Sequence, residues 1–583
     1  MRFFRRLFLV CLLLCGCATD QKPAVTPEHG AATVPVAESP KVATPVLAAL
    51  QAELDHSLTA LKAEPVPPYF LSYEVTENHN YVVSSIFGTL VNSTEMRTRQ
   101  LDIDLRVGDP KLDNTHPLRG NQGFTMPNPP GGSTLLPIED DPDAIRAVLW
   151  YQTDRRFKAA VEQLTKVKAN MKVNVAEEDA SADFSVEPAE VLVQAPADLK
   201  IDRAAWEERL RRYTAPFAAH GNIYGAHASL NADAQTRWYV NSEGARLQTT
   251  QTMARLVISA TTKADDGMVL PRYETFFAFT PDRLPGDAEV LARVEQLIKD
   301  LLALRTAPVT DPYTGPAILS GRAAGVFFHE VFGHRVEGHR QKGVNQGQTF
   351  KKMLGQPVLP AAFTVYCDPT LDYFGQTALG GYYLYDNQGV KARRVTLVAG
   401  GILKGFLMAR MPIEGFPNSN GHGRKAPGFP VVARQSNLIV ETAQPVSQAK
   451  LREKLLKLVK EQSKPYGLYI ADIEGGFTLT GRFIPNAFNV RPLMVYRIYA
   501  DGHEELVRGV DFIGTPLSAF SKIVAADDTP GIFNGICGAE SGPVPVTGIS
   551  PGVLLSQVEV QKKEKAQDRP PLLPAPLEKS PSP

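Results

Sequence analysis

The sequence predicts an α+β protein: an N-terminal domain of mixed helices and strands, followed by a mainly antiparallel β C-terminal domain. Apolar residues recur at helical spacing in several stretches, most regularly over 287–302. Between them lie segments of strand-like alternation, separated by dipeptides such as Gly400-Gly401 and Asp501-Gly502 that favour tight turns. The C-terminal domain is therefore expected to carry few helices, one of which includes the segment 329–334.

The N-terminal domain is predicted to span residues 46–305. It opens with an amphipathic helix, because five leucines between Leu47 and Leu61 recur at helical spacing. The elements that follow are, in order, strands over 69–74 and 100–107, helices around 145–157 and 206–213, and strands over 238–261 on either side of a turn at 241–244. A last helix is strongly periodic from Val290 to Leu302, and Asp287 is expected to cap it.

The C-terminal domain is predicted to span residues 306–561. The boundary falls in 306–316, where turn-forming residues separate two periodic segments. Ser320 is expected to cap the helix that follows. Two hairpins are predicted beyond it: 395–399 with 402–408 around Gly400-Gly401, and 494–500 with 503–507 around Asp501-Gly502.

The first residues indicate export. Three arginines precede an apolar run from Leu7 to Leu14, which is too short for a bilayer core that needs ~20 apolar residues. Residues 1–16 are predicted to be a signal peptide ending in a lipobox, with Cys17 as the lipidated first residue of the mature chain. An ordinary signal peptide is the alternative. Ala18 after that cysteine is similar to sorted lipoproteins and favours the outer membrane of a bacterial envelope, facing the periplasm.

Amino-acid composition predicts the character of the two chain ends and argues against one class of partner. Residues 17–45 are rich in Pro, Ala, Val and Thr and predict a flexible tether, while 562–583 predicts a disordered tail rich in Pro, Lys and Glu. Lys and Arg total 62, as do Asp and Glu, and this balance argues against nucleic acid as a partner. Of five cysteines, only Cys367 and Cys537 lie inside the predicted fold. A disulfide between them is one hypothesis for an oxidising compartment.

The segment His329-Glu330-Val331-Phe332-Gly333-His334 is the main candidate site. In HExxH metalloproteases two histidines one helical turn apart bind one zinc ion. Here the spacing is one residue longer, which in an ideal helix would separate the imidazoles by about 140°. We therefore expect a helix irregularity between Glu330 and His334, where Gly333 can deform most easily. Glu330 is placed to accept a proton from zinc-bound water, as a general base.

A catalytic zinc ion needs a third protein ligand and an open position. The candidates are Glu337, His339, Cys367 and Cys537. The last lies in a glycine-flanked segment, 533–542, that would let the backbone approach a metal closely. His339 is expected to be a surface residue and Cys367 a buried small hydrophobe.

The stretch His329–Gly338 together with 536–538 resembles the TldD/PmbA family of zinc metallopeptidases, whose TldD-type members carry HExxxH and a distant third-ligand cysteine. Other similar stretches occur between about Leu47 and Val560, among them 239–244, 393–408, 419–424 and 496–509. The resemblance implies His329, His334 and Cys537 as zinc ligands, on the catalytic branch of the family. It also implies hydrolysis of unfolded or short peptides in an enclosed cavity of a homodimer, or of a heterodimer with a PmbA-like chain.

The loops of the C-terminal domain contain further candidate site residues. His422 and Arg424 are candidate substrate contacts, because polar loop residues often bind ligands. Asp386, Asn387 and Gly389 are expected to form a turn. The alternatives to a zinc peptidase are a non-catalytic peptide-binding or scaffold lipoprotein of the same fold, and a subunit that is active only with a PmbA-like partner.

Overall fold

The computed structural model describes residues 44–118, 134–173, 179–342, 346–482, 487–563, 569–571 and 573. The predicted signal peptide, Cys17, nearly all of the tether and most of the tail lie outside these residues. Both helices and strands are abundant and most strand pairs are antiparallel, which confirms the α+β class. Within the described part of the chain, no helix is long and apolar enough to span a membrane.

The first half of the chain builds an eight-stranded sheet with the order β3-β2-β1-β6-β7-β5, in which β4 pairs with β2 and β8 pairs with β7. Its strands are β1 Pro68–Ile86, β2 Thr89–Asp109, β3 Leu112–Asp113, β4 Thr134–Leu135, β5 Val191–Val193, β6 Gly225–Asn241, β7 Arg246–Lys263 and β8 Val269–Ala278. Its helices are α1 Pro45–Leu61, α2 Pro142–Val173, α3 Arg203–Thr214 and α4 Asp287–Thr306, with 3-10 turns at Ala215–Ala219 and Pro281–Arg283. Helix α1 packs on β1 and β6 and α2 packs on β2, whereas α3 packs on β1 and β6 and α4 packs on β7 and β8.

The second half builds an eleven-stranded sheet, and the strands β9, β23, β21, β19 and β18 within it form a closed ring of paired neighbours. The strands of this half are β9 Tyr313–Leu319, β10 Phe363–Cys367, β11 Tyr373–Phe374, β12 Thr377–Ala378, β13 Val395–Ala399, β14 Ile402–Leu403, β15 Gly423–Arg424, β16 Val432–Ala433, β17 Asn437–Thr442, β18 Tyr466–Thr478, β19 Phe488–Tyr499, β20 Glu504–Val507, β21 Val510–Gly514, β22 Ile523–Ala539 and β23 Gly542–Lys562. The helices are α5 Gly321–Val331, α6 Gln448–Glu461 and α7 Pro516–Phe520, with 3-10 turns at Gly333–Val336, Gly338–Gln341 and Lys351–Met353. The pairs β11-β12 and β15-β16 form two small separate sheets.

Helix α5 is buried against this ring. Ser320 caps it as predicted, its Oγ accepting the Ala323 amide at 3.2 Å. All residues from Ala323 to Val331 are buried. Phe327 stacks on Phe512 of β21, with ring centroids 5.7 Å apart, so the helix is fixed by aromatic packing.

Two local predictions need correction. Asp287 does not cap α4: the N-cap is Gly286, and the Asp287 carboxylate instead accepts hydrogen bonds from Arg209 Nε at 2.8 Å and the Tyr213 hydroxyl at 2.6 Å. The strand predicted over 402–408 is only the two-residue β14. Its turn is as expected, because Gly400 and Gly401 both have positive φ, 56° and 76°.

Helix α5 approaches the β22–β23 hairpin backbone to backbone at glycines. A Cβ added to Gly325 would lie 2.9 Å from the carbonyl oxygen of Gly548, and one added to Gly548 would lie 2.8 Å from the Gly325 oxygen. Gly321 approaches Gly531 more closely still, because the Gly531 amide nitrogen would lie 2.4 Å from a Cβ added to Gly321. No side chain fits here, so the helix and the hairpin hold one fixed separation.

We expect Gly325→Ala to lower the free energy of unfolding by about 1–3 kcal/mol, because an overpacked contact between two backbones cannot relax by a rotamer change. Chemical denaturation measures this. Gly538→Ala, in an exposed strand position with no atom within 4 Å of an added Cβ, is the matched control and should be near neutral. Equal stability of the two variants would contradict the proposed packing constraint.

Candidate metal centre

The end of helix α5 brings His329 and His334 together. The α-helix stops at Val331 and a 3-10 turn follows over Gly333–Val336, so the predicted irregularity between Glu330 and His334 is confirmed in the form of a helix end. The two imidazole centroids are 4.9 Å apart. Gly333 was expected to let the helix deform, but its role is steric. A Cβ at this position would lie 1.8 Å from Gln435 Oε1, so the Gln435 side chain leaves no room for a larger residue.

Cys537 of β22 completes a buried three-residue cluster. Its Sγ lies 3.2 Å from Nε2 of His329 and 3.2 Å from Nε2 of His334. The three candidate ligand atoms all lie within 4.8 Å of one another, and each side chain is at most 8% exposed. Tetrahedral zinc, with bonds of about 2.3 Å to sulfur and 2.0–2.1 Å to nitrogen, would place sulfur and nitrogen about 3.6 Å apart. The two sulfur–nitrogen separations therefore fit such an ion after movements of a few tenths of an ångström.

The charges of this cluster are coupled. Burial raises the pKa of the Cys537 thiol, but His334 and His329 together lower it well below its usual value. Burial lowers the pKa of His334, yet the Cys537 thiolate and the Glu337 carboxylate raise it to about 10. Cys537 is thus held as the thiolate, which is the form that binds metals.

The hypothesis of a disulfide between Cys367 and Cys537 is wrong, since both cysteines are free. Cys367 lies on β10 in the hydrophobic core and is fully buried, as expected for a small hydrophobe. Burial raises the pKa of its thiol to about 12, so it stays protonated.

Glu337 lies behind His334 and supports it. Its two carboxylate oxygens are each 3.2 Å from His334 Nδ1, while Nε2 of the same ring faces Cys537. Arg340 donates to Glu337 at 2.8 Å. Burial raises the Glu337 pKa, but His334 and Arg340 lower it to about 2, so the carboxylate is ionised. Carboxylates commonly orient metal-binding histidines in this way. Glu337 follows His334 by three residues, and this spacing is the sequence signal that could have indicated its role in orienting the His334 ring.

Arg434 connects the two histidines' segment to the strand of Cys537. Its Nη2 donates to the Cys537 carbonyl oxygen at 2.8 Å, its Nη1 donates to Ser541 Oγ at 2.7 Å, and its Nε lies 3.5 Å from Glu337. The next residue, Gln435, donates from Nε2 to the His329 carbonyl oxygen at 3.2 Å. No local pattern in the sequence pointed to either residue, because both act through contacts distant in the chain.

Glu330 lies beside the cluster with its carboxylate uncommitted. The side chain makes no hydrogen bond to a residue within the described ranges, and it is 8% exposed. Burial raises its pKa, and the nearby His329 and His334 only partly offset this. The backbone of Gly476 in β18 forms the wall behind it, where an added Cβ would lie 2.9 Å from Glu330 Cγ. The carboxylate is therefore held close to the cluster without being tied to it.

His339 is not the surface residue that was expected. It is 8% exposed, and its Nε2 lies 2.6 Å from Glu540. Arg340 also donates to Glu540, at 3.0 Å. The segment after His334 continues as a buried 3-10 turn over Gly338–Gln341 instead of leaving the core, which is why His339 faces inward.

The two predicted substrate contacts differ in position. His422 is fully buried, with Nδ1 3.2 Å from the Asn420 oxygen and Nε2 3.3 Å from Ser436 Oγ, so no surface of its side chain is available to a ligand. Burial lowers its pKa to about 3, which keeps it neutral. Arg424 lines a cavity. Asp386 forms the expected turn, its Oδ1 accepting the amides of Gln388 and Val390.

The cavity lined by Arg424 has a volume of about 350 Å³ and lies between the two large sheets. Residues of β6 and β7 form one wall, and the segments 382–387, 424–427 and 543–545 form the other. Val544, one of its lining residues, stands directly across from Cys537 in the β22–β23 ladder. The cavity thus reaches the strand pair that carries the thiolate.

Comparison with known proteins relates this architecture to one family. The model of the PmbA/TldA metallopeptidase central domain matches residues 190–302, and that of the C-terminal domain matches 312–562. A protein named metalloprotease from Methanothermobacter thermautotrophicus is 27% identical over 336 residues, covering 55% of this chain and 66% of its own. One from Archaeoglobus fulgidus is 30% identical over 276 residues, covering 46% and 59%. The chain thus spans less than two-thirds of these relatives.

Two solved structures share the fold. A protein from Thermotoga maritima, described as a proposed modulator of a DNA gyrase, superimposes with a TM-score of 0.56 at 15% identity, covering 88% of this chain and 99% of its own. TldE from Thermococcus kodakarensis gives 0.56 at 13% identity, covering 88% and 100%.

If the cluster binds zinc, Glu337→Gln should weaken the affinity about 10- to 100-fold, because His334 loses the carboxylate that orients it. Competition with a chromogenic chelator measures the dissociation constant. Glu453→Gln, at an exposed position of α6, makes the same chemical change away from the site and serves as the control. Unchanged affinity in Glu337→Gln would exclude the supporting role.

Proposed function

The chain belongs to the PmbA/TldD family of metallopeptidases, and on this basis we propose that it is a zinc-dependent peptidase acting on unfolded or short peptides. The observation that carries the proposal is the buried cluster of His329, His334 and Cys537 with the uncommitted Glu330 carboxylate beside it. Two imidazoles and one thiolate are donors that zinc accepts, and three protein ligands leave a fourth position for water or substrate. A zinc ion held there would polarise a substrate carbonyl and lower the pKa of a coordinated water.

The chain's own residues would supply proton transfer and orientation. Glu330 would accept a proton from the attacking water and deliver it to the leaving amine, and its raised pKa suits a group that must do both. Gly476 would keep the carboxylate from turning away from the cluster. Glu337 would fix the His334 ring, and Arg434 would fix the backbone at Cys537. The cavity between the sheets gives an extended peptide a place next to the ligand strand.

Glu330→Gln should retain zinc but reduce kcat for an accepted unstructured peptide by about 10²- to 10⁴-fold, because the amide cannot take up the proton. Metal analysis and turnover of a peptide library, inhibited by a chelator and restored by zinc, measure the two properties. Glu453→Gln is again the control.

Full activity of Glu330→Gln would refute the mechanism. Absence of turnover by the zinc-loaded wild-type chain, alone and with a PmbA-like partner, would favour the non-catalytic lipoprotein instead.

We further propose that Cys17 carries a lipid that anchors the protein to the outer membrane, facing the periplasm, through the tether. The sequence of the lipobox supports this, and helix α1 begins at Pro45, where the tether is expected to end. We also propose a dimer, with a second copy or a PmbA-like chain. The N-terminal half of β2 supports a protein partner, because among the described residues it pairs only with β1 and exposes Val91 and Met96, each 60%.

Cys17→Ser should release the protein from the membrane fraction, since the thioether that holds the lipid cannot form. Cell fractionation tests the anchor, and retention of the variant in membranes would contradict it. The oligomeric state of the released Cys17→Ser chain is then measured by light scattering. The mass of a single chain, both for the protein alone and for its mixture with a PmbA-like protein, would contradict the dimer.

A further inference from the structure

The guanidinium of Arg424 is a buried cation without an acidic partner. The residue is 7% exposed, and no carboxylate of the described residues lies within ion-pair distance of it. Its contacts are one hydrogen bond, from Nη1 to the Gln435 carbonyl oxygen at 2.5 Å, and the face of the Tyr383 ring, with the guanidinium carbon 4.8 Å from the centroid. Among the described residues, this planar group with five donors therefore has one hydrogen-bond acceptor, and the residue lines the cavity.

The other two cations of the cavity wall are neutralised. Lys425 Nζ lies 2.9 Å from Glu74 and 2.5 Å from Asp102. Arg237 lies 3.6 Å from Glu74 and donates to the Tyr385 carbonyl oxygen at 2.7 Å. Within the part of the chain that the structure describes, Arg424 is thus the one cation of this cavity lining without an acidic partner.

The acid that lines the same cavity is committed elsewhere. Asp386 accepts the backbone amides of Gln388, Val390 and Gly423 at 2.9–3.0 Å. Burial raises its pKa to about 6, so the carboxylate is still mostly ionised at neutral pH, but it does not lie within ion-pair distance of Arg424. Asp386 therefore belongs to its turn and makes no direct ion pair with Arg424.

A buried charge without a counterion is unfavourable unless another group pairs with it. Burial and the neighbouring Arg434 lower the pKa of Arg424 to about 10, although Tyr383 and the Cys537 thiolate act in the opposite direction, so the guanidinium is still charged at neutral pH. Cation–π contact with Tyr383 holds the plane of the group in place but does not neutralise it. A fixed, planar cation of this kind is suited to bidentate binding of a carboxylate.

Arg424 is also joined to the candidate metal centre. Its hydrogen-bond acceptor, the backbone of Gln435, belongs to the residue whose side chain bonds the His329 carbonyl oxygen. The cavity wall continues from Arg424 to Val544, opposite Cys537. A ligand held by Arg424 would therefore lie beside the proposed zinc ligands.

We propose that Arg424 forms an anion-binding subsite that takes a carboxylate of the peptide substrate. The proposal rests on the proposed peptidase function. The carboxylate is either the α-carboxylate of the C-terminus or the side chain of an acidic residue near the cleaved bond. In either case the enzyme prefers acidic peptides to their neutral analogues.

The test uses peptide binding to the full-length, zinc-loaded protein carrying Glu330→Gln, which suppresses hydrolysis. One pair of probes is fluorescently labelled tetra-alanine with a free C-terminus and the same peptide with a C-terminal amide. The second pair has an amidated C-terminus and an internal Glu or Gln. Fluorescence anisotropy gives the ratio of dissociation constants within each pair.

We expect the acidic member of one pair to bind on the order of tenfold more tightly, the usual magnitude of a charge-assisted hydrogen-bonded pair. The pair that shows the difference identifies the source of the carboxylate. Adding Arg424→Gln should bring that ratio to about 1. Arg424→Lys should give an intermediate ratio, because lysine keeps the positive charge but lacks the paired N–H donors that bind a carboxylate in a bidentate manner. Arg155→Gln, exposed on α2, removes the same charge elsewhere and should leave the ratio unchanged.

A ratio of 1 in both pairs for the chain with Arg424 intact overturns the proposal without any variant. So does a preference that survives Arg424→Gln, since the zinc ion would then be binding the carboxylate. Failure of the proposed function is a separate result: no turnover by the zinc-loaded wild-type chain, with the Arg424-dependent ratio still present.

Discussion

The close approach of helix α5 to the β22–β23 hairpin is the constraint on which the rest of the centre depends. Gly325 and Gly548 bring two backbones to a separation that admits no side chain. Because both elements are rigid, this separation sets how far Cys537 stands from the two histidines. The aromatic residues on the other side of α5 press it toward the hairpin, with Phe327 packed on Phe488 and Phe512. Packing therefore positions the donors before any metal is considered.

Charge then stabilises what packing has positioned. The Cys537 thiolate and the His334 imidazolium neutralise each other, and Glu337 adds a second negative group behind the ring. Arg434 and Arg340 each contact Glu337, and Arg340 continues to Glu540. Positive and negative groups alternate through this network, so no member is buried without a partner. Arg424, a short distance along the chain, has no acidic partner among the described residues, and this exception is the basis for proposing it as a binding group.

Local patterns in the sequence predicted local structure well. The leucines of α1, the turn at Gly400-Gly401 and the cap at Ser320 all depend on neighbours a few residues away. The altered histidine spacing also predicted a break in α5. The manner of the break could not be predicted, because the Gln435 side chain that fills the space at Gly333 comes from a distant segment. The same holds for His339 and Arg434, whose partners lie about 100 or more residues away.

If the protein is exported and binds metal as proposed, it must keep the Cys537 thiolate reduced, and the fold supplies two reasons why it can. Cys367, the other cysteine of the described fold, is fully buried on β10, and its thiol stays protonated, so it is a poor nucleophile. Cys537 is itself 8% exposed and lies beneath His329 and His334, which restricts attack by an external disulfide. A bound metal would occupy the remaining lone pairs of the sulfur. Burial at first suggests an inert structural cysteine, but in the proposed oxidising compartment it would allow a reactive thiolate to persist.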